Sequence, residues 1–184
     1  MTGDRPPTLA TERLFLRELR ASDAGAVAAG AGDPRVARFL LDVPSPYPIA
    51  LARRWITTRI GWWDAGRGAT LAIVRRVAPD ALLGTVSLRR YTHDRRAELG
   101  YWLAADEWGA GLAAEATRSM VEWGFPALGL QRIYAQVLAD NRASGRVLDK
   151  LGMVLEGMKR QHVRKGTALC DVLLYGLLVD EWVG

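Results

Sequence analysis

The stretch Glu98-Leu-Gly-Tyr-Trp-Leu-Ala-Ala-Asp-Glu-Trp-Gly-Ala-Gly-Leu-Ala-Ala-Glu-Ala116 narrows most what this chain can fold into. An apolar strand is followed by a tight glycine turn that opens directly into a helix. The first helical amides have no internal acceptor and sit at the positive end of the helix dipole, so successive N–H groups at about 109 to 114 can wrap an anion. Gly109 and Gly111 remove side chains where a ligand would meet the backbone, and Ala113 keeps the first turn small. Pyrophosphate is the natural guest. The plainer alternative is a strand–turn–helix in which the glycines only ease the turn.

Around this junction the periodicity predicts a mixed α/β fold. Leu14–Leu19 reads as a strand, and Ser22 as the cap of an alanine-rich helix stopping near Gly30 to Pro34. The three prolines of 42–48 make a loop. Ala52, Trp55, Ile56, Ile60 and Trp63 mark one face of a helix over about 49–64. Three strands follow, at about 70–75, 82–88 and 97–103, turning at Ala78–Asp80 and Thr92–Arg95. The helix that opens at Leu112 is expected to end before Pro126, with Glu115, Arg118 and Glu122 on a paired, solvated side. Arg132–Leu138 reads as a strand, Asn141 as the N-cap of a helix through Lys150, and Gly152 as its left-handed stop. A hairpin pairing 154–161 with 169–179 closes the chain. One βαβ unit thus sits inside an otherwise antiparallel sheet.

With 184 residues and 49% apolar against 24% charged residues, a single globular domain over 1–184 is expected, with 1–8 as a flexible tail. No apolar window of about 18 residues suggests a membrane span, and no export signal is recognisable, so a cytoplasmic protein is expected. The 25 Lys and Arg exceed the 20 Asp and Glu, but Arg pairs at 53–54, 75–76, 89–90 and 95–96 are spread over different elements. That diffuse excess argues against a nucleic-acid partner. Cys170 is the single cysteine, reads as a buried thiol, and cannot make an internal disulfide or cysteine zinc cluster. No metal is expected.

Several motifs, in order along the chain, resemble one family. Trp108-Gly-Ala-Gly111-Leu-Ala113 after Leu-Gly-Tyr-Trp-Leu resembles the pyrophosphate motif of the GNAT superfamily of N-acetyltransferases, with Trp in place of the usual Arg or Gln. Thr11-Glu-Arg-Leu-x-Leu-Arg17 with Asp23-Ala24, Asp140-Asn141-x-x-Ser144, Leu151-Gly-Met-x-Leu-Glu-Gly157 and Asp171-Val-x-x-Tyr175 are similar to its ribosomal-protein-alanine acetyltransferase (RimJ/RimL-like) branch. The resemblance spans residues 8 to 179. It implies the GNAT fold: a largely antiparallel central sheet with a splayed parallel strand pair, here 97–103 and 132–138, and helices on both faces.

It also implies acetyl-CoA as cosubstrate and direct transfer of its acetyl group to a primary amine, a protein N-terminal residue or a small molecule. A homodimer is a family-level expectation. The cofactor would be bound by Trp108, Gly109, Ala110, Gly111, Leu112, Ala113 and Ala114, by the backbone of Leu103, and by Asn141 against the pantetheine arm. Ser144 would donate a proton to the departing thiolate; simple capping is the plainer reading of the Asn141–Ser144 pair. Glu98, on the strand face of Gly100 and Trp102, is the candidate base, with His162 as a substitute and solvent as a third option. Tyr175 reads as a core phenol, and one ring of the Trp62–Trp63 pair is left for a substrate wall or a dimer contact. Two further readings stay open: an acyl-CoA sensor of the same fold without catalysis, and an NAD-binding Rossmann unit through Gly109-x-Gly111-x-x-Ala114. The second is disfavoured by the antiparallel meander and by a preceding strand that ends about five residues before the first glycine, with Asp140 the first acid at the next strand's end.

Overall fold

The computed structural model describes residues 5–184. Its frame is an eight-stranded sheet in the order β1-β2-β3-β4-β5-β6-β8-β7. The strands are β1 (Leu9–Ala10), β2 (Leu14–Glu18), β3 (Gly68–Arg75), β4 (Ala78–Tyr91), β5 (Arg96–Leu103), β6 (Arg132–Leu138), β7 (Val154–Lys165) and β8 (Ala168–Leu178). The helices are α1 (Ala24–Gly32), α2 (Pro34–Ala37), α3 (Ile49–Asp64), α4 (Leu112–Leu128) and α5 (Arg142–Lys150).

β3 is buried along seven consecutive residues, as a strand covered on both faces must be. Its side chains alternate: Leu71 and Ile73 join the core that holds Leu112, Met120 and Leu148 from α4 and α5, while Ala72 and Val74 pack with Val27 of α1 and Ile56 of α3. One pair, β5 with β6, is parallel, and its register covers only Arg96↔Arg132, Ala97↔Ile133 and Glu98↔Tyr134. Beyond Glu98 each strand stays with its other neighbour. β5 pairs β4 up to Gly84↔Leu103, and β6 pairs β8 up to Leu138↔Val172. The two strands therefore part at their C-terminal ends, where α4 and α5 begin. This is the switch point at which open α/β sheets receive ligands.

Four local expectations are corrected. Ala78–Asp80 belongs to β4 and the turn is Arg76–Val77, with bulges at Ile73/Val74 and Val74/Arg75 absorbing the extra residues. Ser22 does not cap α1; it lies in a 3-10 turn, Ala21–Asp23, because Asp23 is drawn to Arg17. α4 runs through Pro126 to Leu128: Pro126 is on the solvent face, where water can take the carbonyl it leaves unbonded, and buried Phe125 and Leu128 anchor the last turn. Cys170 is half-buried rather than enclosed, since β8 is exposed near its hairpin end. β1 also falls beside the expected tail, pairing Leu9 with Leu16 and Ala10 with Phe15. No helix of the described residues is long and apolar enough to cross a membrane.

Candidate active site

The glycine turn has the conformation its residues require. Gly109 and Gly111 take φ of 82° and 77°, left-handed values that a side chain would strain, and Gly111 is the N-cap of α4. The first amide of this segment with an internal acceptor is that of Glu115, which donates to the Gly111 carbonyl at 3.1 Å. The amides of residues 109 to 114 find no acceptor among the described residues. They form a run of free donors at the positive end of a 17-residue helix.

A clamp from β2's approach holds this turn. Arg13 Nη1 donates to the Ala110 carbonyl at 2.9 Å, Arg13 Nε to Glu115 Oε2 at 2.6 Å, and Thr11 Oγ1 to Glu115 Oε1 at 2.6 Å. C=O and N–H of a trans peptide point in opposite directions, so drawing the Ala110 carbonyl toward Arg13 turns the Gly111 N–H away from it. Burial pushes the Glu115 carboxyl up, but bonds from Thr11 and from the amide and guanidinium of Arg13 outweigh it and leave the carboxyl below its ordinary value. Glu115 thus serves this long-range clamp instead of pairing along α4. Arg13 and Thr11, although within a motif, carry no spacing signal pointing to residue 110.

Ladder alternation decides which edge of β5 faces the gap. Ala104 N donates to Leu83 O at 2.7 Å, so the residues bonded to β4 alternate back through Trp102 and Gly100. Leu99, Tyr101 and Leu103 turn their backbone polar groups to the opposite edge, toward the gap. Leu103 departs from expectation in one respect: its carbonyl already accepts from Trp108 Nε1 at 2.9 Å, leaving its N–H as the free group. Trp108 thereby packs its ring against the end of β5 while remaining 44% exposed.

Asn141 caps α5, its Oδ1 accepting from Ser144 N at 3.1 Å, so the capping reading holds for that oxygen. The Ser144 hydroxyl is engaged elsewhere. It lies 2.7 Å from the Tyr101 hydroxyl, across the gap between α5 and β5. Burial foremost pushes the Tyr101 phenol up to about 12, so it keeps its proton at neutral pH. Sequence reasoning missed Tyr101; its alternation with Glu98 and Gly100 on β5 was the available signal. Tyr175 is buried as expected, its hydroxyl against Gly145.

Glu98 is on the other face of the sheet, half-buried and shared by Tyr91, whose hydroxyl is 3.4 Å from Oε2, and Gln136, whose Nε2 is 3.3 Å from Oε1. Ser144 and Glu98 therefore flank the gap from opposite sides. His162 is exposed on β7, two strands from β6, and is not brought to either of them. Trp62 and Trp63 divide as their adjacency demands: Trp63 is buried against Trp123, ring centroids 6.3 Å apart, and Trp62 is half-buried on the face of Glu98 beneath Arg59. Among the described residues, no group of three or more His, Cys, Asp or Glu could hold a metal ion.

The family model described as acetyltransferase (GNAT) domain matches residues 13–154. The chain belongs to the GNAT acetyltransferase family. A Bacillus subtilis (strain 168) protein named uncharacterized N-acetyltransferase YoaA is 35% identical over 173 residues, covering 94% of this chain and 97% of that protein. A Bacillus licheniformis protein named uncharacterized N-acetyltransferase p20 is 32% identical over 178 residues, 96% of this chain and 99% of the relative. Among solved structures, Mycobacterium smegmatis RimJ in complex with CoA-disulfide superposes with a TM-score of 0.85 at 22% identity, covering 96% of this chain and 89% of that one. This GNAT chain is accordingly an N-acetyltransferase, with the expected mixed sheet and splayed pair. A single parallel pair in an eight-stranded sheet excludes the Rossmann alternative.

Proposed function

We propose that this GNAT enzyme transfers the acetyl group of acetyl-CoA directly to a primary amine, the three components meeting at the gap between β5 and β6. The observation that carries the reading is the run of unbonded amides at 109–114 beside the point where the strands part. RimL and RimJ structures of similar fold hold coenzyme A, and RimL is named for a ribosomal protein acceptor. A protein N-terminal residue is therefore one acceptor to test beside small amines. When bound, acetyl-CoA supplies an acyl group already activated as a thioester.

The chain's own residues complete the chemistry. Amides 109–114, with Leu112, Ala113 and Ala114 opening α4, hold the diphosphate; the gap-facing backbone of Leu99, Tyr101 and Leu103 hydrogen-bonds the pantetheine amides, with Asn141 beside it. The Leu103 N–H, free while its carbonyl is occupied by Trp108, is available to the acyl oxygen. Glu98 accepts a proton from the incoming ammonium on one face of the sheet, and Ser144 gives one to the departing thiolate on the other, with Tyr101 behind it to restore the serine and solvent to restore Tyr101.

Release of free thiol from acetyl-CoA against a panel of peptides and small amines tests the reading; no release with any amine, despite acetyl-CoA binding, would return the sensor alternative. Glu98→Gln is expected to lower kcat by about a hundredfold with the acetyl-CoA Kd unmoved, the range of general-base contributions. An unchanged kcat would leave proton removal to water. Arg13→Gln is expected to raise the acetyl-CoA Kd about tenfold, the worth of one charge-assisted contact. Use of S-acetylpantetheine, which lacks the diphosphate, should be spared. Equal loss with both donors would mean that Arg13 only holds the fold together.

A further inference from the structure

On the Glu98 face, α3 carries Trp55, Arg59 and Trp62 at successive helical spacings, one stripe of the helix. The Arg59 guanidinium lies over both rings, 3.8 Å from the centroid of Trp62 and 5.3 Å from that of Trp55. It is half-buried, and the ion pairs of the described residues all use other arginines. The charges it faces are Arg89, of like sign, and Asp42 and Glu98, neither close enough to pair, with the Tyr47 phenol. Burial, and then Arg89, pull its pKa below the ordinary value.

Trp62 also walls a recess of about 410 Å³ whose other sides include Arg67, Arg89, Arg90 and Tyr91. Its one carboxylate, Asp94, is taken by Arg96 at 2.9 Å. Arg90 Nε is buried there with no hydrogen-bond partner among the described residues. Tyr91 joins the recess to the gap, since its hydroxyl reaches Glu98. Three arginines, Arg67, Arg89 and Arg90, thus line a space whose only acid is already spent, and Arg59 lies over the Trp62 ring that walls it. An anion entering it would meet the exposed guanidiniums of Arg67 and Arg89 and the buried, unpartnered Arg90 Nε, donors suited to charge-assisted bonds.

We propose that the acceptor amine carries an anionic group of its own, a carboxylate or a phosphate, which Arg59 and Arg89 bind beside Glu98. This rests on the acetyl-transfer reading and names its substrate class. The arginines hold the anion of such a molecule, which places its amine at Glu98.

The test separates the two ideas. In the full-length protein saturated with CoA, so that the diphosphate cradle is filled, succinate and inorganic phosphate are titrated while tryptophan fluorescence is followed. Saturable binding of at least one is expected, telling carboxylate from phosphate recognition and weakening about tenfold in Arg59→Gln and in Arg89→Gln. Arg89 is exposed, so its variant serves if Arg59→Gln does not fold. Matched acceptors, glycine with glycinamide and phosphoethanolamine with ethanolamine, should show higher kcat/KM for the anionic member, the ratio falling toward one in both variants. No saturable binding of either anion, or binding that both variants leave intact, overturns the proposal, as does a preference for the neutral amines. Anion binding that depends on Arg59 without acetylation of any amine would sink the transfer reading and leave the anion site standing.

Discussion

Ser144→Ala is expected to lower kcat by about a hundredfold while the acetyl-CoA Kd moves by less than about twofold, the signature of a proton donor to the leaving group rather than a binding contact. The structure makes this substitution unusually clean. Asn141 caps α5 through the backbone nitrogen of Ser144, so alanine leaves the cap in place and removes only the hydroxyl. That hydroxyl is 2.7 Å from Tyr101, whose phenol stays protonated at neutral pH. Tyr101 also reaches the Ser144 carbonyl at 3.1 Å, which holds it at the gap in the absence of the serine hydroxyl. Residual activity in Ser144→Ala should therefore fall further when Tyr101→Phe is added. Steady-state kinetics beside calorimetric acetyl-CoA binding decides it: an unaltered kcat removes the acid role from Ser144, and a parallel loss of affinity makes it a binding residue.

Asp23→Ala should destabilise the fold by about 3–5 kcal/mol, the cost of stranding one member of a buried ion pair. Arg17 and Asp23 are 7% and 4% exposed and meet through two bonds, Nη1 to Oδ2 at 2.9 Å and Nη2 to Oδ1 at 2.8 Å. Asp23 also accepts from the Arg20 amide at 2.8 Å, and Arg17 Nε donates to the Pro79 carbonyl at 2.9 Å. One pair therefore ties the end of β2, the entry to α1 and the start of β4. Removing the carboxylate leaves a guanidinium with only carbonyl partners in a place that water cannot reach. Denaturant unfolding should show the loss, with a fall in Tm of about 10 °C for a chain of this size. The fall should depend little on salt, since buried pairs are poorly screened. A drop of less than about 1 kcal/mol would place the pair among those that contribute little.

What the residues reveal unaided follows from how far each kind of physical constraint reaches along the chain. The glycine turn before α4, the cap at Asn141 and the apolar stripe of α3 are decided within a few residues, by allowed dihedrals, orphan amides and helical periodicity, and all three were legible. The same reasoning failed where a distant partner outweighed a local preference. Local preference makes Pro126 a stop, yet a solvent-facing carbonyl and two buried neighbours let α4 pass it. Local preference makes Ser22 a cap, yet the pull of Arg17 on Asp23 reshapes that turn.

The candidate site divides in the same way. Gly109, Gly111, Glu98, Asn141 and Ser144 could be named from their elements, because turn, strand face and cap are local properties. Tyr101 against Ser144, Arg13 against Ala110, and the gathering of Arg67, Arg89 and Arg90 around one recess could not. In the sequence that positive charge is scattered over separate elements. Those meetings depend on strand order and register, in which a slip of one residue sends every side chain to the opposite face. Sequence alone therefore determined the elements and the anion-receiving turn, whereas packing chose which distant side chains stand together.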